Sequence, residues 1–191
     1  MSKVVVFMNL TLDGVMQAPG RPDEDRRDGF EHGGWAMPYA TMEAAEESMA
    51  YTGALLLGRR TYEDFYAVWP NRTDNPFTVV LDNTQKYVAS TTLEEPLPWS
   101  NSTLLKGDAA EAVARLKEEP GKDFVVLGSG ELVQSLMRRN LVDEYVLLIH
   151  PLVLGSGRRL FTDGGTFAAL RLVGTKTTTT GVVIATYAAT H

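Results

Sequence analysis

Residues 54–62 read Ala-Leu-Leu-Leu-Gly-Arg-Arg-Thr-Tyr, a short apolar run that passes through one glycine into a polar stretch. A continuous apolar run of this length is typical of a strand covered on both faces. Arg59 to Tyr66 predicts a helix, and the first N–H groups of a helix have no partner inside it. Gly58 lets the backbone approach a ligand closely. The pattern therefore favours a ligand-facing turn at the carboxyl end of a buried strand, although a solvent-facing arginine pair fits the local sequence equally well.

A second turn of the same kind lies in residues 124–132, Phe-Val-Val-Leu-Gly-Ser-Gly-Glu-Leu. Small residues, an incoming helix dipole and close backbone approach are the physical requirements of a pyrophosphate cradle. The stretch lacks the six-residue dinucleotide fingerprint and the acidic residue that follows it about twenty positions later. Taken alone, it fits an ordinary tight turn as well as a phosphate site.

The rest of the chain alternates apolar strand patterns with amphipathic helices. Helices are predicted at Thr41–Tyr51, with Met42, Ala45 and Met49 on one face, and behind the Asp108–Glu111 capping box. A third helix is predicted at Glu131–Asn140, with Leu132, Val133, Leu136 and Met137 as its packed stripe. Further strands are predicted at Val4–Met8, Phe77–Leu81, Tyr87–Ala89, Thr103–Leu105 and Tyr145–Ile149, with a closing hairpin at Leu172–Thr179 and Val182–Tyr187. This order predicts one α/β domain, residues 1–191, with a central, mostly parallel twisted sheet flanked by helices and ending in an antiparallel hairpin.

Residues Gln17 to Pro38 interrupt this pattern with many Gly, Pro, Asp and Arg residues and little periodicity. A stretch of this length is typical of a functional loop, an active-site cover or a disordered excursion. Trp35 and Met37 argue against disorder throughout, because such side chains seek burial.

Composition excludes several classes of protein. The 191 residues carry a net charge of −6, which argues against a nucleic-acid surface, and contain no cysteine for disulfides, thiolate catalysis or Cys-ligated zinc. The three histidines, His32, His150 and His191, have no metal-site spacing, so no metal is expected. The apolar start at Val4–Met8 is too short for a signal peptide or a membrane span. We expect a cytoplasmic protein that binds neither nucleic acid nor membrane.

Five motifs in order resemble one known family. They are Met8-Asn9-Leu10-Thr11-Leu12-Asp13-Gly14, Leu57-Gly58-Arg59-Arg60-Thr61-Tyr62-Glu63, Tyr87-Val88-Ala89-Ser90, Val126-Leu127-Gly128-Ser129-Gly130-Glu131-Leu132, and Asn140 to Tyr145 running on to His150-Pro151-Leu152-Val153-Leu154-Gly155-Ser156-Gly157. Over nearly the whole chain the sequence resembles the dihydrofolate reductase superfamily. It is most similar to the riboflavin-biosynthesis reductase (RibD C-terminal) domain family and its stand-alone relatives.

The resemblance implies a dihydrofolate reductase-like fold with NADPH lying across the strand ends. It places Arg59 near the 2′-phosphate, with Arg60 as a second cation, and Thr61 near the pyrophosphate, while Gly58 binds the cofactor through close approach of its backbone. It also implies contacts from Ser90 and Thr91 to the adenosine ribose phosphate, from Gly128, Ser129, Gly130, Glu131 and Leu132 to the pyrophosphate and nearby ribose, and closure of Leu12–Ala18 over the nicotinamide. Relatives often carry consecutive glycines where this chain has Gly128-Ser129, so we expect the unusual backbone geometry to be less secure here.

Two acids are candidate catalytic residues. Asp13 follows the first strand, where a carboxylate can bind substrate or direct a proton, but Asp-Gly is also ordinary turn chemistry. Glu43 is the nearest match to the pterin-binding carboxylate of a dihydrofolate reductase, but it equally fits an exposed helical face. Because of this uncertain register the chain is not assigned as a dihydrofolate reductase.

Other side chains have both a functional and a structural interpretation. The aromatic residues Trp35, Tyr39, Phe65 and Trp69 fit either the floor of a substrate pocket or the core. His150 fits a neutral structural histidine better than a catalytic one. Residues 155–159 fit a glycine-rich turn with solvated arginines better than an anion site.

The leading functional hypothesis is an NADPH-dependent oxidoreductase that transfers hydride to a C=N or C=O carbon of a small, heterocyclic substrate. The alternative is a non-catalytic nucleotide- or ligand-binding protein on the same fold. The family resemblance also implies a homodimer.

Overall fold

A computed structural model describes residues 1–51 and 53–190; His191 lies outside them. Within these residues the strands are β1 (Val4–Thr11), β2 (Ala54–Gly58), β3 (Lys86–Ala89), β4 (Ser102–Leu105), β5 (Phe124–Leu127), β6 (Glu144–His150), β7 (Leu170–Thr177) and β8 (Val183–Ala189). The α-helices are α1 (Met42–Ala50), α2 (Arg59–Val68), α3 (Phe77–Asn83), α4 (Ala109–Glu118) and α5 (Gly130–Arg138).

The strands form a sheet in the order β4-β3-β2-β5-β1-β6-β8-β7. The pairs β1–β6, β2–β3, β2–β5 and β3–β4 are parallel. The pairs β6–β8 and β7–β8 are antiparallel. The predicted mostly parallel sheet with a closing antiparallel hairpin is confirmed.

The chain divides into two compact units. The first unit comprises Met1–Val4 and Thr52–Leu141, and the second comprises Val5–Tyr51 and Val142–His191. The description of residues 1–191 as one domain stays a prediction. In the part of the chain that the structure describes, no helix is both long and apolar enough to cross a membrane.

The first unit buries the apolar runs that the sequence marks as strands. Leu55, Leu56 and Leu57 of β2 are buried, as are Phe124, Val125 and Val126 of β5. The helix α5 covers them with the predicted stripe of Leu132, Val133, Leu136 and Met137, all buried. The helix α4 begins where the capping pattern predicts, since the Asp108 carboxylate accepts from the Glu111 N–H at 2.9 Å.

The second unit contains the long loop, which packs around its own core. Val15, Ala18, Phe30 and Trp35 form a buried cluster. The Trp35 indole donates to the Gln17 carbonyl oxygen at 2.7 Å. The buried Gln17 amide donates in turn to the carbonyl oxygens of Asp25 and Arg27. The interpretation of residues 17–38 as a disordered excursion is therefore wrong.

The predicted strand at Phe77–Leu81 is wrong, because this segment forms α3. A short apolar run does not distinguish a strand from a helix by its periodicity. Local capping decides in favour of the helix: the Asn75 side-chain oxygen accepts from the Phe77 N–H at 2.9 Å. The Thr78 hydroxyl donates to the Arg72 carbonyl at 2.7 Å, which ties the first turn to the preceding loop.

The helix α1 is confirmed, but its apolar face points outward. Met42 and Met49 are 72% and 51% exposed. Its less exposed side carries Ala44, Glu47 and Ser48 instead. Glu47 is drawn inward by Lys176, whose Nζ lies 2.6 Å from its carboxylate. The face of α1 that carries Glu47 thus lies toward the hairpin strand β7.

A buried lysine joins β3 to the end of α3. The Lys86 side chain is 0% exposed, and its ammonium donates to the carbonyl oxygens of Leu81 at 2.6 Å and Thr84 at 2.7 Å. It also lies 4.5 Å from the centre of the Trp99 ring. Burial lowers the pKa of Lys86 to about 8, against the opposing charge of Asp82.

We predict that Lys86→Met lowers the free energy of unfolding by about 1–3 kcal/mol. The substitution keeps the buried stem but leaves two carbonyl oxygens at the end of α3 without their donor. Urea unfolding measures the change. Lys106→Met is the matched control, since Lys106 is 76% exposed and should shift stability by no more than about 0.5 kcal/mol. Equal stability of Lys86→Met and the wild type would contradict the prediction.

Candidate functional site

Parallel pairing brings three turns of the first unit to one edge. In β2 and β5, Leu56 lies opposite Val126, so both strands end at the same level. In β2 and β3, Gly58 lies opposite Ala89. The turns after β2, β3 and β5 therefore lie side by side at the carboxyl ends of their strands, where α/β sheets bind ligands.

The two turns that the sequence singles out are in direct contact. We call residues 58–61 and 128–131 the paired turns. The Gly58 N–H donates to the Ser129 hydroxyl oxygen at 2.9 Å, across 71 positions of sequence. The Ser129 hydroxyl donates to Thr61 Oγ1 at 3.0 Å. Each turn leads directly into a helix, α2 after Gly58 and α5 after Ser129. The contact between the paired turns thus brings the first turns of α2 and α5 close together. Their N–H groups favour binding of an anion there.

The backbone of the second turn is left-handed at two consecutive residues. Gly128 has a φ of 56° and Ser129 has a φ of 58° with a ψ of 49°. A Cβ atom on residue 128 would lie 3.1 Å from Thr61 Oγ1 and 3.3 Å from Thr61 Cγ2, so only glycine fits without displacement. The expectation that serine at 129 makes this geometry less secure is wrong. The chain keeps the left-handed conformation at Ser129, although it costs a non-glycine residue about 1 kcal/mol or more.

Arg59 and Arg60 begin α2 at the edge of the paired turns. Arg59 Nη1 lies 3.1 Å from the Glu63 carboxylate one turn later, and the Arg59 side chain is 39% exposed. An exposed ion pair of this kind contributes little to stability. It holds the guanidinium over the first turn of α2, where its remaining donors can reach a phosphate. Arg60 is exposed on the same turn.

Ser90 and Thr91 follow β3 beside the paired turns. The Ser90 hydroxyl oxygen accepts from the N–H groups of Thr92 at 3.1 Å and Leu93 at 3.0 Å, which fixes the turn. Thr91 is exposed. Both residues lie at the ligand-facing edge of the first unit, so the structure is compatible with their predicted role.

Gly130, Glu131 and Leu132 form the first turn of α5. The Leu132 side chain is buried, so only its backbone can face a ligand. Glu131 is exposed, and its carboxylate lies near the positive end of the helix dipole. The three residues offer backbone N–H groups rather than side chains.

Asp13 belongs to the second unit, and its carboxylate organises a loop. The Thr11 hydroxyl donates to it at 2.6 Å, the Gly155 N–H at 2.8 Å and the Leu154 N–H at 3.2 Å. Arg159 Nη2 lies 3.3 Å from the same carboxylate. The Thr11 hydroxyl and these backbone donors lower the pKa of Asp13 to about 2. The group is ionised at neutral pH and has no proton to deliver.

Glu43 lies in the exposed first turn of α1, also in the second unit. Its neighbours along one groove include Glu46, Glu47 and Lys176. The structure thus gathers the predicted cofactor residues in the first unit and places both candidate acids in the second. The catalytic roles of Asp13 and Glu43 stay predictions that their contacts do not support.

Three of the four aromatic candidates make ring contacts, in two separate places, while Phe65 lies partly buried in α2. Trp35 and Tyr39 stand edge-on to His150, with ring centres 5.2 and 5.7 Å away. Trp69 packs edge-on against Phe77 in the first unit, at 5.3 Å. The buried His150 has Nδ1 3.0 Å from the Leu148 carbonyl oxygen, and burial lowers its pKa. His150 is therefore the neutral structural histidine that the sequence favours.

Residues 155–159 form a braced loop rather than a free anion site. Arg158 pairs with Asp28 at 3.1 Å, and its backbone N–H donates to the Gln17 side chain at 2.9 Å. Arg159 donates to the Asp13 carbonyl oxygen at 2.8 Å. Sequence reasoning missed the structural role of Gln17, since one glutamine in an irregular stretch carries no signal. In the described part of the chain, no cluster of three or more acidic or histidine side chains could hold a metal.

We predict that Asp13→Asn destabilises the protein at neutral pH by about 1–3 kcal/mol, because an amide group would face N–H donors that now meet a carboxylate. The folded-state pKa lies below the ordinary value of 3.8, so this stabilisation is present above that value and is lost as pH falls towards about 2. The stability gap between wild type and variant should therefore narrow over that acid range.

Urea unfolding at several pH values measures this gap. Asp23→Asn is the control, because Asp23 is 72% exposed in a loose ion pair with Arg21. A gap between wild type and Asp13→Asn that stays constant through the acid range would contradict the ionised role of Asp13.

Comparisons with known proteins identify the family to which the chain belongs. The model of the RibD C-terminal domain family matches residues 2–184. Two uncharacterised proteins of Bacillus subtilis (strain 168) are similar. YyaP is 33% identical over 138 residues, covering 70% of this chain and 72% of its own length, and YwjB is 29% identical over 181 residues, covering 91% of each.

Two solved structures have the same fold. A protein from Shewanella sp. PV-4 provisionally assigned to riboflavin biosynthesis superposes with a TM-score of 0.69 at 20% identity, covering 99% of both chains. A pyrimidine reductase-like protein from Corynebacterium diphtheriae superposes with a TM-score of 0.65 at 11% identity, covering 100% of this chain and 92% of its own.

Proposed function

The chain belongs to the RibD C-terminal domain family, and we propose that it is an NADPH-dependent reductase acting on a small heterocyclic substrate. Family membership indicates a reductase-type function. When bound, the nicotinamide would supply hydride to a C=N or C=O carbon. The observation that carries the proposal is the contact between the paired turns, through the hydrogen bond from Gly58 to Ser129.

The paired turns fit a pyrophosphate. Gly128 leaves the space that a Cβ atom would fill against Thr61. The first N–H groups of α2 and α5 supply donors from two directions, and both helix dipoles favour a negative charge there. These residues would bind and orient the cofactor, with Ser90 and Thr91 toward its adenosine ribose.

Arg59 and Arg60 supply the preference for a 2′-phosphate in this proposal. A guanidinium can grip a phosphate with two parallel hydrogen bonds. The Glu63 carboxylate holds Arg59 in place on the surface of α2 without burying it. NADH lacks the phosphate and would gain nothing from either arginine.

The proposed reaction needs little acid–base chemistry from the protein. Asp13 is ionised and saturated with donors, and Glu43 is an exposed helical residue. We assign protonation of the reduced substrate to water rather than to either acid. The main tasks of the chain are then to bind the cofactor and to orient the substrate beside it.

We predict that Arg59→Ala reduces the preference for NADPH over NADH by about 1–3 kcal/mol and leaves NADH affinity unchanged, because one charge-assisted contact to the 2′-phosphate is lost. Fluorescence titration of both cofactors measures the preference. Arg115→Ala, which removes an exposed arginine from α4, is the control and should bind both cofactors like the wild type.

Two results would count against this proposal. Equal affinity of the wild type for the two cofactors would overturn the role of Arg59. Tight NADPH binding without oxidation in the presence of a panel of pterin, pyrimidine and flavin precursors would favour the non-catalytic nucleotide-binding alternative.

We also propose that the protein forms a homodimer through β7. This strand is at the end of the sheet order, and all its residues after Leu170 are exposed. Leu172 and Val173 are 52% and 54% exposed, and an uncovered apolar edge strand is prone to pair with another chain.

Light scattering after gel filtration tests the dimer. We expect the wild type to have twice the mass of one chain, and Leu172→Lys to shift it toward a single chain, since a charge on this strand opposes pairing. Val79→Lys, which places the same charge on an exposed apolar residue of α3, is the control and should leave the mass unchanged. A wild type with the mass of one chain would overturn the proposal.

A further inference from the structure

We propose that Ser129 is a positioning residue: its hydroxyl orients the Thr61 hydroxyl so that Thr61 donates to the cofactor's pyrophosphate. The inference rests on the proposed function, because it assigns a role within the same cradle. It differs from a direct contact of Ser129 with the cofactor, since Ser129 acts through Thr61.

The Ser129 hydroxyl both accepts and donates hydrogen bonds within the paired turns. Its oxygen accepts from the Gly58 N–H at 2.9 Å. Its single hydrogen has two acceptors within reach, Thr61 Oγ1 at 3.0 Å and the Leu127 carbonyl oxygen at 3.2 Å, and Thr61 is the nearer of the two. The chain of donors therefore runs from the Gly58 backbone through Ser129 to Thr61.

This arrangement determines what Thr61 can do. One lone pair of Thr61 Oγ1 accepts from Ser129, so the Thr61 hydrogen must point in another direction. Within the part of the chain that the structure describes, no group accepts that hydrogen. Thr61 also sits in the first turn of α2, whose N–H groups face the same place. Its hydroxyl is thus available as a donor to an anion, and a chain of hydrogen bonds strengthens such a donor.

The backbone of Ser129 gives an independent reason to assign a role to its side chain. A left-handed conformation is easier for glycine than for serine. Glycine at 129 would keep the turn and relieve its strain, but it would remove the bridge to Gly58 and Thr61. A strained non-glycine residue at a ligand-facing turn points to a functional side chain.

The test is a double-mutant cycle of Ser129→Gly and Thr61→Val. The probes are NADPH, which has the pyrophosphate, and adenosine 2′-phosphate, which lacks it. We expect Ser129→Gly to weaken NADPH binding about tenfold, the effect of losing one hydrogen bond to a charged group, and to leave adenosine 2′-phosphate affinity unchanged. In the Thr61→Val background, Ser129→Gly should have no further effect, because the hydroxyl that it orients is absent.

Stability measurements separate this role from a structural one. Ser129→Gly should unfold at nearly the same urea concentration as the wild type, because the relief of left-handed strain opposes the loss of the acceptor for the Gly58 N–H. Ser129→Ala keeps the strain and should reproduce the loss of NADPH affinity. Equal weakening of both probes by Ser129→Gly would indicate a merely structural role and overturn the inference.

The remaining outcomes distinguish the two proposals. If the wild type binds NADPH and the two substitutions have additive effects, the role of Ser129 is wrong and the proposed function stands. If the wild type binds no NADPH, the proposed function fails and the role of Ser129 fails with it.

Discussion

The parallel register of β2 against β5 is the constraint on which the candidate site depends. With Leu56 opposite Val126, the two strands end together, and the turns that follow must share one edge. A slip of one residue would exchange the side chains of a strand between its two covered faces, so close packing of these buried side chains on both faces holds the register. The hydrogen bond from Gly58 to Ser129 is available only in this alignment. Packing in the core thus determines the geometry of a polar site at its edge.

The two units use their charged and polar groups differently. In the first, the paired turns expose backbone donors and an arginine whose charge stays at the surface. In the second unit, Asp13 and Gln17 form hydrogen bonds with the loop that contains Arg159. These contacts hold an irregular segment around the core of Trp35 and Phe30. These contacts in the second unit determine the shape of its loops; they do not supply reactive groups. A reductase whose cofactor carries the hydride requires little more of its protein than binding, orientation and shape.

Most of the fold could be predicted from the sequence, because buried strands and capped helices leave local patterns. The stripe of α5 and the Asp108 cap were predicted correctly for this reason. The errors occurred where local caps or tertiary contacts outweigh the pattern: the hydrogen bonds of Asn75 and Thr78 favour a helix at Phe77–Asn83, and α1 lies with Glu47 toward Lys176 and with Met42 exposed.

For the site, the sequence identifies both turns but not their contact, since a hydrogen bond across 71 positions has no local signature. It also suggested that serine would weaken the left-handed turn, whereas the structure makes Ser129 the link between the turns. For Asp13 the sequence shows an acid in a turn after a strand. This pattern is the same for a carboxylate that acts on a substrate and for one that holds a loop, so the sequence alone does not distinguish the two roles.

The most direct test of the central claim, that the paired turns hold a phosphorylated dinucleotide, is an amide NMR titration of the wild type with NADP⁺. If both turns bind the same ligand, the N–H resonances of Arg59, Arg60, Thr61, Gly130 and Glu131 should shift together and saturate at one Kd. If these resonances stay in place while others shift, the ligand binds elsewhere and the account is contradicted.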